Sequence, residues 1–490
     1  MMGAERRPGK MTIDEALLWA LRSIVGEQYV VTQREDLWVY RHDGSVEHAW
    51  PGAVVLPSST DEVSRVLALA HRQGVAVVAR GAGTGLSGGA VADGSILLSV
   101  NRMRRILEVD AVNRTALVEP GVVNLDISKA VHQHGLYYAP DPSSQKGCTI
   151  GGNVAECAGG PHCLRYGTTT NHVLGMEAVL EDGAVVWLGG SHRDAPGYDL
   201  VGAFVGSEGM FGVATKVRVR LLKLAESVRT YLAIFDRMND ASATVSRIIG
   251  GGIVPAALEM MDALAIRAVE NARKMGYPAD AEAVLLVEVD GLAEDAEEEG
   301  ELVGRLLGEL GAREVRVAQT DEERERLWAG RKGALGALGT LAPNYVLVDG
   351  VVPPTRLPET LRRVSAISQK HGLPIANVFH AGDGNLHPCI VFDERRPGET
   401  ERALEAGGDI LKVCVEMGGA LSGEHGIGLE KQEYMPLLFT NADLEAMRKL
   451  RRAFAPSGRM NPGKVFPTGR QGHSESVRAS LAAPGSDAWI

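Results

Sequence analysis

Apolar positions near the start of the chain recur at helical spacing and then break into short blocks. Ile13 to Val25 reads as an amphipathic opening helix, and Val54-Val55-Leu56 is a short apolar run closed by Pro57. Ser59 and Glu62 are placed as a capping box. Val63, Val66, Leu67 and Ala70 follow at i, i+3, i+4, i+7, and Gly74 stops the pattern before the strand-like Val75 to Val78. This is a β-α-β opening. Further strands are predicted at Ile96 to Val100, Ile106 to Val109, Thr115 to Val118, Glu177 to Leu180, Ala184 to Leu188 and Val213 to Leu221, mostly without long helices between them. That pattern predicts an α+β fold rather than a doubly wound sheet. Past a boundary near Leu222 to Ser227, Ala256 to Met275 and Ala293 to Leu310 read as helices alternating with strands such as Val284 to Val289. The acidic run Glu294 to Glu301 reads as a solvated helix face. Residues 468–490 are rich in Ser, Ala and Gly without periodicity and are expected to form a disordered tail.

Composition sharpens this picture at three points. At 490 residues the chain exceeds one ordinary core, so two domains are expected. Its 59 glycines are roughly 12%, against a usual value near 7%, and they gather around residues 81–94, 147–160 and 202–212, which points to loops shaped around a ligand. The formal charge of −11 argues against non-specific binding to nucleic acid or an anionic membrane. Five cysteines without a C-x-x-C pair make a disulfide framework or a resident iron–sulfur cluster unexpected. No apolar run reaches the ~18 residues of a membrane span, and Met1 to Lys10 is not followed by a signal-type apolar stretch, so a cytoplasmic protein is expected.

The glycines of Arg80-Gly81-Ala82-Gly83-Thr84-Gly85-Leu86-Ser87-Gly88-Gly89 include a G-x-G-x-x-G match after a strand. A Rossmann site needs that loop to open a helix, and the next apolar segment is the short strand Ile96 to Val100, so the match is read as coincidental. The physical need survives, because successive glycines let backbone N–H groups approach phosphate oxygens without a helix dipole. Two more glycine-rich stretches, Pro140 through Asn153 continuing into Gly159-Gly160-Pro161-His162, and Gly206-Ser207-Glu208-Gly209, suit a long phosphate-bearing cofactor better than a single phosphate.

The second half carries the candidate chemistry. His380 and His387 flank an Asp383-Gly384 turn between two short apolar runs, so the segment reads as strand, turn, strand with the two imidazoles directly opposed. They could share one cation or be an ordinary neutral pair on a surface hairpin. Glu424-His425, between Gly423 and Gly426, adds a carboxylate for the cation and an imidazole suited to act as base. Three protein ligands, His380, His387 and Glu424, would leave a coordination position open for substrate, as in a catalytic divalent site of Zn, Mn or Fe. Arg331 could clamp a carboxylate, or simply sit in a surface ion pair.

Together these motifs resemble the vanillyl-alcohol-oxidase type of FAD-binding proteins. Within it the chain is similar to glycolate oxidase flavin subunits and D-lactate dehydrogenases. The resemblance runs from about Val54 to Pro467 and includes Gly197-Tyr198-Asp199-Leu200, Leu258-Glu259-Met260-Met261-Asp262, Trp328-Ala329-Gly330-Arg331-Lys332 and Asn461-Pro462-Gly463-Lys464. It implies a PCMH-type FAD-binding domain over 50–225 and a linked-oxidase cap domain over 226–467. It further implies that Arg80, Gly81, Ala82, Gly83, Thr84, Gly85 and Leu86 hold the pyrophosphate. Pro142, Ser143, Ser144, Gln145, Gly151, Gly152 and Asn153 would line the isoalloxazine, with Glu208 and Asn461 as further cofactor contacts. The first loop lacks the histidine through which some relatives attach flavin, so FAD is expected to be non-covalent. Cys157 stands where similar proteins commonly have asparagine. Leu347 stands where relatives acting on dicarboxylic hydroxy acids have lysine, which favours a monocarboxylate. The implied reaction is oxidation of glycolate or a small D-2-hydroxy acid, with Arg331 on the substrate carboxylate and His425 as base. Electrons would pass to a second flavin-type subunit and an iron–sulfur subunit, through which any membrane association would come. The alternatives are a self-sufficient D-lactate dehydrogenase using a quinone or cytochrome, and a non-catalytic flavin-binding subunit.

Overall fold

The computed structural model describes residues 13–192 and 197–469, and its architecture is α+β. The opening follows the predicted pattern. Val30–Val31, Ala53–Val55, Ile96–Ser99 and Val77–Arg80 lie side by side in that order, and the last three run parallel. Helix Thr60–Gln73 links two of them and buries Val63, Val66, Leu67 and Ala70, the Val and Leu side chains each worth up to about 1.5–3 kcal/mol if fully removed from water. The Ser59 hydroxyl accepts from the Glu62 N–H at 3.2 Å. Glu62 reaches back to the N–H of Ser58, not Ser59, so the box is displaced by one residue. Between Arg80 and Ile96 there is no helix, and the glycine loop spans the crossover. A second, antiparallel sheet orders Ile106–Asp110, Thr115–Val118, Val213–Arg220, Val173–Val179 and Val185–Gly189.

A third sheet organises the rest, in the order Ala312–Val317, Ser227–Phe235, Ala283–Gly291, Ala257–Asp262, Ile375–His380, Asn385–Leu386 and Gly350–Val351. Its side chains alternate as a pleat requires. Phe235, Leu285, Val287, Leu258, Met260 and Phe379 enter one core. Ile234, Val284, Met261, Ala376 and Val378 enter another. Glu288, Glu259 and His380 fall in the register of the second set, so their polar groups meet on one face.

The predicted helix over Ala256 to Met275 is corrected. The chain there is the strand Ala257–Asp262 followed by the helix Ala263–Arg273. A strand paired on both sides and covered on both faces reads as a continuous apolar run, which periodicity cannot separate from a buried helix. The missed sign was Asp262, whose carboxylate accepts from the Ala265 N–H at 2.9 Å and starts the helix.

After helix Asn441–Phe454 the chain returns to the first half. Ala455 and Met460 enter the core of the first sheet, Phe466 that of the second, and the Asn461 N–H donates to Val77 O at 2.8 Å. The tail expected over 468–490 lies outside the described residues beyond Gly469.

Candidate active site

The hairpin brings the histidines together in a register different from the predicted one. His380 pairs with Asn385, and Asn377 with Pro388, so Ala381 to Gly384 form a four-residue turn. The shift is by two residues, which preserves the face on which each side chain points. His387 therefore meets His380 diagonally, with ring centroids 5.1 Å apart at 80°. Within this turn Gly384 stands at φ 76°, where a Cβ would collide with the Val352 carbonyl.

Residues 422–428 complete the cluster, and two carboxylates clamp this loop. Asp349, fully buried, accepts from the Ser422 hydroxyl at 2.6 Å, from the N–H groups of Gly423 and His425 at 3.0 Å, and from Lys431 Nζ at 3.0 Å. Burial alone would raise its carboxyl; Lys431 and the neighbouring imidazoles hold it well below the usual range. From the other side Glu208 accepts from Ile427 N–H and Gly428 N–H at 2.7 Å each. The glycines answer a steric demand: a Cβ on Gly423 would strike the Asn385 amide, and one on Gly426 would lie 2.5 Å from Glu156 Oε2.

So clamped, Glu424 points Oε1 at His380 Nε2 (3.2 Å) and His387 Nε2 (3.4 Å). The remaining ring nitrogen of His380 donates from Nδ1 to Glu259 Oε1 at 2.7 Å, which directs the Nε2 lone pair toward Glu424. A lone pair facing a carboxylate calls for a cation between them or a proton on the ring. With no metal, burial lowers the His380 pKa, but Glu259 and Glu424 raise it well above the ordinary value. Burial likewise works to raise Glu424, yet the hydrogen bond and charge of His380 hold it at about 2. His387 Nε2 is buried without a hydrogen-bond partner, 3.4 and 3.5 Å from carboxylate oxygens of Glu424 and Asp349. This donor set fits a divalent cation, since two imidazole nitrogens and one carboxylate oxygen converge within 4.8 Å. Asp349, His387 and His425 form a second such group. Asp349 is already taken up by the loop, so the set containing Glu424 is the better cage.

His425 stacks on His387 at 4.8 Å and 14°. Its Nδ1 is buried without a partner. Burial is the largest influence on its pKa, and with the charges of His387 and Lys431 it lowers the imidazole to about 4 against the opposing pull of Asp349 and Glu424. Neutral imidazole is the form that takes a proton. Arg331 is 3% exposed, and its Nη2 lies 2.5 Å from Glu259 Oε2. The pair is close but poorly aligned, leaving Nε and Nη2 of Arg331 without a hydrogen bond.

Arg331, His387, Glu424 and His425 line one cleft of about 390 Å³ together with Arg80 to Leu86, Pro142, Ser143, Ser144, Gly151, Gly152, Asn153 and Glu208. His380 stands behind His387 and does not line it. Gln145 and Asn461 are also outside the wall. Asn461 instead ties the Gly89 carbonyl (3.0 Å) to the Glu208 carbonyl (2.5 Å). Arg80 lies beneath its own loop, donating to the His42 carbonyl at 2.7 Å. Leu347 lies on a different, smaller cavity with Leu86, Tyr345 and Tyr434, so its side chain does not shape this cleft. The cleft fits FAD on two observations. In the loop Gly81 to Leu86 a Cβ on Gly81 would strike the Thr149 hydroxyl of the same wall, while Gly85 faces open space. In addition, Thr149 Oγ1, Glu156 Oε2 and Ser207 Oγ are buried polar atoms without a partner on residues of its wall.

Sequence reasoning named the residues that meet in this cluster, gave Glu208 only as a cofactor contact and Asp349 only as a landmark, and missed Glu259 and Lys431 as their partners. The sign for Glu259 was available, since an acid in the middle of Leu258-Glu259-Met260-Met261 cannot be buried without cationic partners.

Comparison with known proteins bears on the family and the fold. Residues 51–189 match the family described as FAD binding domain, and residues 224–465 match FAD linked oxidases, C-terminal domain. The chain is 49% identical to glycolate oxidase subunit GlcD of Escherichia coli over 92% of its length and 91% of that protein's. It is 40% identical to the Bacillus subtilis protein of that name, covering 87% of this chain and 92% of that one. Identity to D-lactate dehydrogenase of Archaeoglobus fulgidus is 36%, covering 84% and 90%. Among solved structures, p-cresol methylhydroxylase superposes with TM-score 0.79 at 16% identity, covering 93% of this chain and 97% of that one, which speaks for the fold alone.

Proposed function

The chain belongs to the FAD-linked oxidases, and on that premise we propose that it oxidises glycolate or a small D-2-hydroxy acid to the 2-oxo acid. It is an FAD-dependent 2-hydroxy-acid dehydrogenase. The observation that carries the site assignment is the convergence of Arg331, His387, Glu424 and His425 on the cleft lined by the glycine loops. We take 50–225 as the cofactor-binding unit and 226–467 as the cap, with the segment after Phe454 packing back on the first.

In this reading Arg331, ion-paired through Nη2 with Glu259, offers its Nε, which has no hydrogen-bond partner, to the substrate carboxylate. A planar guanidinium suits a bidentate carboxylate, and desolvation in the cleft strengthens the contact. Glu259 holds Arg331 from behind and fixes the His380 ring, so one carboxylate positions two functional groups. His425 takes the hydroxyl proton as the carbinol C–H bond breaks. FAD, when bound, supplies the acceptor of the hydride. His380, His387 and Glu424 would hold a divalent cation, which supplies Lewis-acid polarisation of the substrate oxygen. His387 Nε2, partnerless between two carboxylates, supports that reading. Electrons would leave to partner subunits, a second flavin-type chain and an iron–sulfur chain. We place the protein in the cytoplasm, with membrane association only through partners. Among the described residues no helix is long and apolar enough to cross a membrane.

Anaerobic mixing of the FAD-bound protein with glycolate, D-lactate, L-lactate and D-2-hydroxyglutarate, following flavin bleaching, tests this. Glycolate or D-lactate should reduce the flavin fastest, and failure of every 2-hydroxy acid to bleach it would remove the assignment.

A further inference from the structure

Beside the cleft lies an ionic cluster that the reaction above does not use. His162 Nδ1 is 2.9 Å from Asp141 Oδ2, and its Nε2 is 3.3 Å from Glu288 Oε1. Asp141 directly precedes the wall residues Pro142 to Ser144. Glu288 belongs to the cap strand Ala283–Gly291. The two carboxylates therefore come from opposite halves of the chain, and His162 bridges them.

Glu288 in turn receives the Thr230 hydroxyl at 2.6 Å, Arg324 Nε and Nη2 at 3.0 Å each, and Trp328 Nε1 at 2.7 Å. Lys332 Nζ lies 3.5 Å from Asp141 Oδ2, and the His162 and Trp328 rings are 5.4 Å apart. Arg324, Trp328, Arg331 and Lys332 sit at i, i+4, i+7 and i+8 of the helix Asp321–Lys332, which is one face of a helix. That helix buries only Trp328, Gly330 and Arg331, so little apolar packing fixes its rotation. Trp328 and Leu327 pack on the cap sheet and Tyr277 donates to the Leu327 carbonyl, while polar contacts to Glu288, Asp141 and Glu259 hold the face that carries Arg331.

We propose that His162 is a positioning residue for substrate binding: by clasping Asp141 to Glu288 it sets the helix that presents Arg331 to the substrate carboxylate. The inference rests on the reading of Arg331 given above. It makes substrate affinity, not the hydride step, the quantity that His162 controls.

The test uses FAD-bound protein and the 2-hydroxy acid that bleaches it fastest in the panel above, with apparent Kd and limiting reduction rate taken from the concentration dependence. His162→Gln should raise the apparent Kd at least tenfold while leaving the limiting rate within threefold and the FAD content unchanged. A Kd within twofold of the parent overturns the proposal, as does a fall in FAD content and limiting rate alongside Kd, the mark of a merely structural role. Should His162→Gln not fold, Trp328→Phe keeps an aromatic side chain and removes the Nε1 donor to Glu288 together with part of the indole. It should shift Kd the same way by a smaller factor, and an unchanged Kd overturns the proposal. Arg331→Lys separates the two claims: if it does not weaken binding, the carboxylate clamp itself fails, whereas a weakened Arg331→Lys with an unaffected His162→Gln removes the clasp alone.

Discussion

Burying an ionised side chain costs several kcal/mol, offset only by partners placed around it. Asp349 and Lys431, both fully buried, show the arrangement in its strictest form. Asp349→Ala leaves the Lys431 ammonium without its carboxylate, so chemical denaturation should report a loss of about 3–5 kcal/mol. His162 makes a pH-dependent contribution. Burial works to lower its pKa, but the charges and hydrogen bonds of Asp141 and Glu288 raise it from 6.5 to about 10. A group whose pKa is higher in the folded state stabilises fully below its unfolded value and loses that contribution as pH rises through the folded one. Stability should therefore fall between about pH 6.5 and 10, and the fall should shrink in His162→Gln. The groups facing it from both halves are Asp141 and Glu288, with Arg324 and Lys332 beyond them, and equal slopes for parent and variant would remove the assignment. His425→Ala should slow flavin reduction by roughly 10²–10⁴ with FAD retained, the range usual for loss of a positioned base.

At the scale of elements, turns and caps decide where the proposed catalytic groups stand. Gly384 closes the turn between His380 and His387 in a left-handed conformation against the Val352 carbonyl. Gly384→Ala should cost of order 1–3 kcal/mol and weaken metal retention, as measured by denaturation and by metal analysis after dialysis. Helices and strands in the first half were legible because Val63 to Gly74 carries both its period and its stops in consecutive residues. The strand holding Glu259 was not, because a central strand covered on both faces has no period of two to read. The hairpin was recognised from Asp383-Gly384, but its register was not, since a two-residue and a four-residue turn share the same glycine.

For the whole molecule, the cleft is assembled from segments hundreds of residues apart, so ligands should hold its halves together. FAD added to stripped protein at about 100 times its Kd should stabilise it by about 2.7 kcal/mol, seen as a higher Tm. Treatment with a chelator should abolish substrate-dependent bleaching without releasing FAD, and one divalent ion per chain should restore it; full activity in metal-free protein would dismiss the cation. The return of Ala455, Met460 and Phe466 to the first-half cores ties the two halves a second time.

The residues that meet at the cleft were legible in the sequence alone, because chemistry demands particular residue types and local order demands particular spacings: glycines in the loops, paired imidazoles beside a turn, an acid and a histidine between glycines, an arginine. Their partners were decided only by the tertiary structure. That Glu259 serves both His380 and Arg331, that Asp349 and Glu208 hold one loop from opposite sides, and that Leu347 faces another cavity all depend on contacts between residues far apart in the chain. Such contacts leave no periodic trace, since a long-range ion pair requires only that two charges meet and places no constraint on the residues between them.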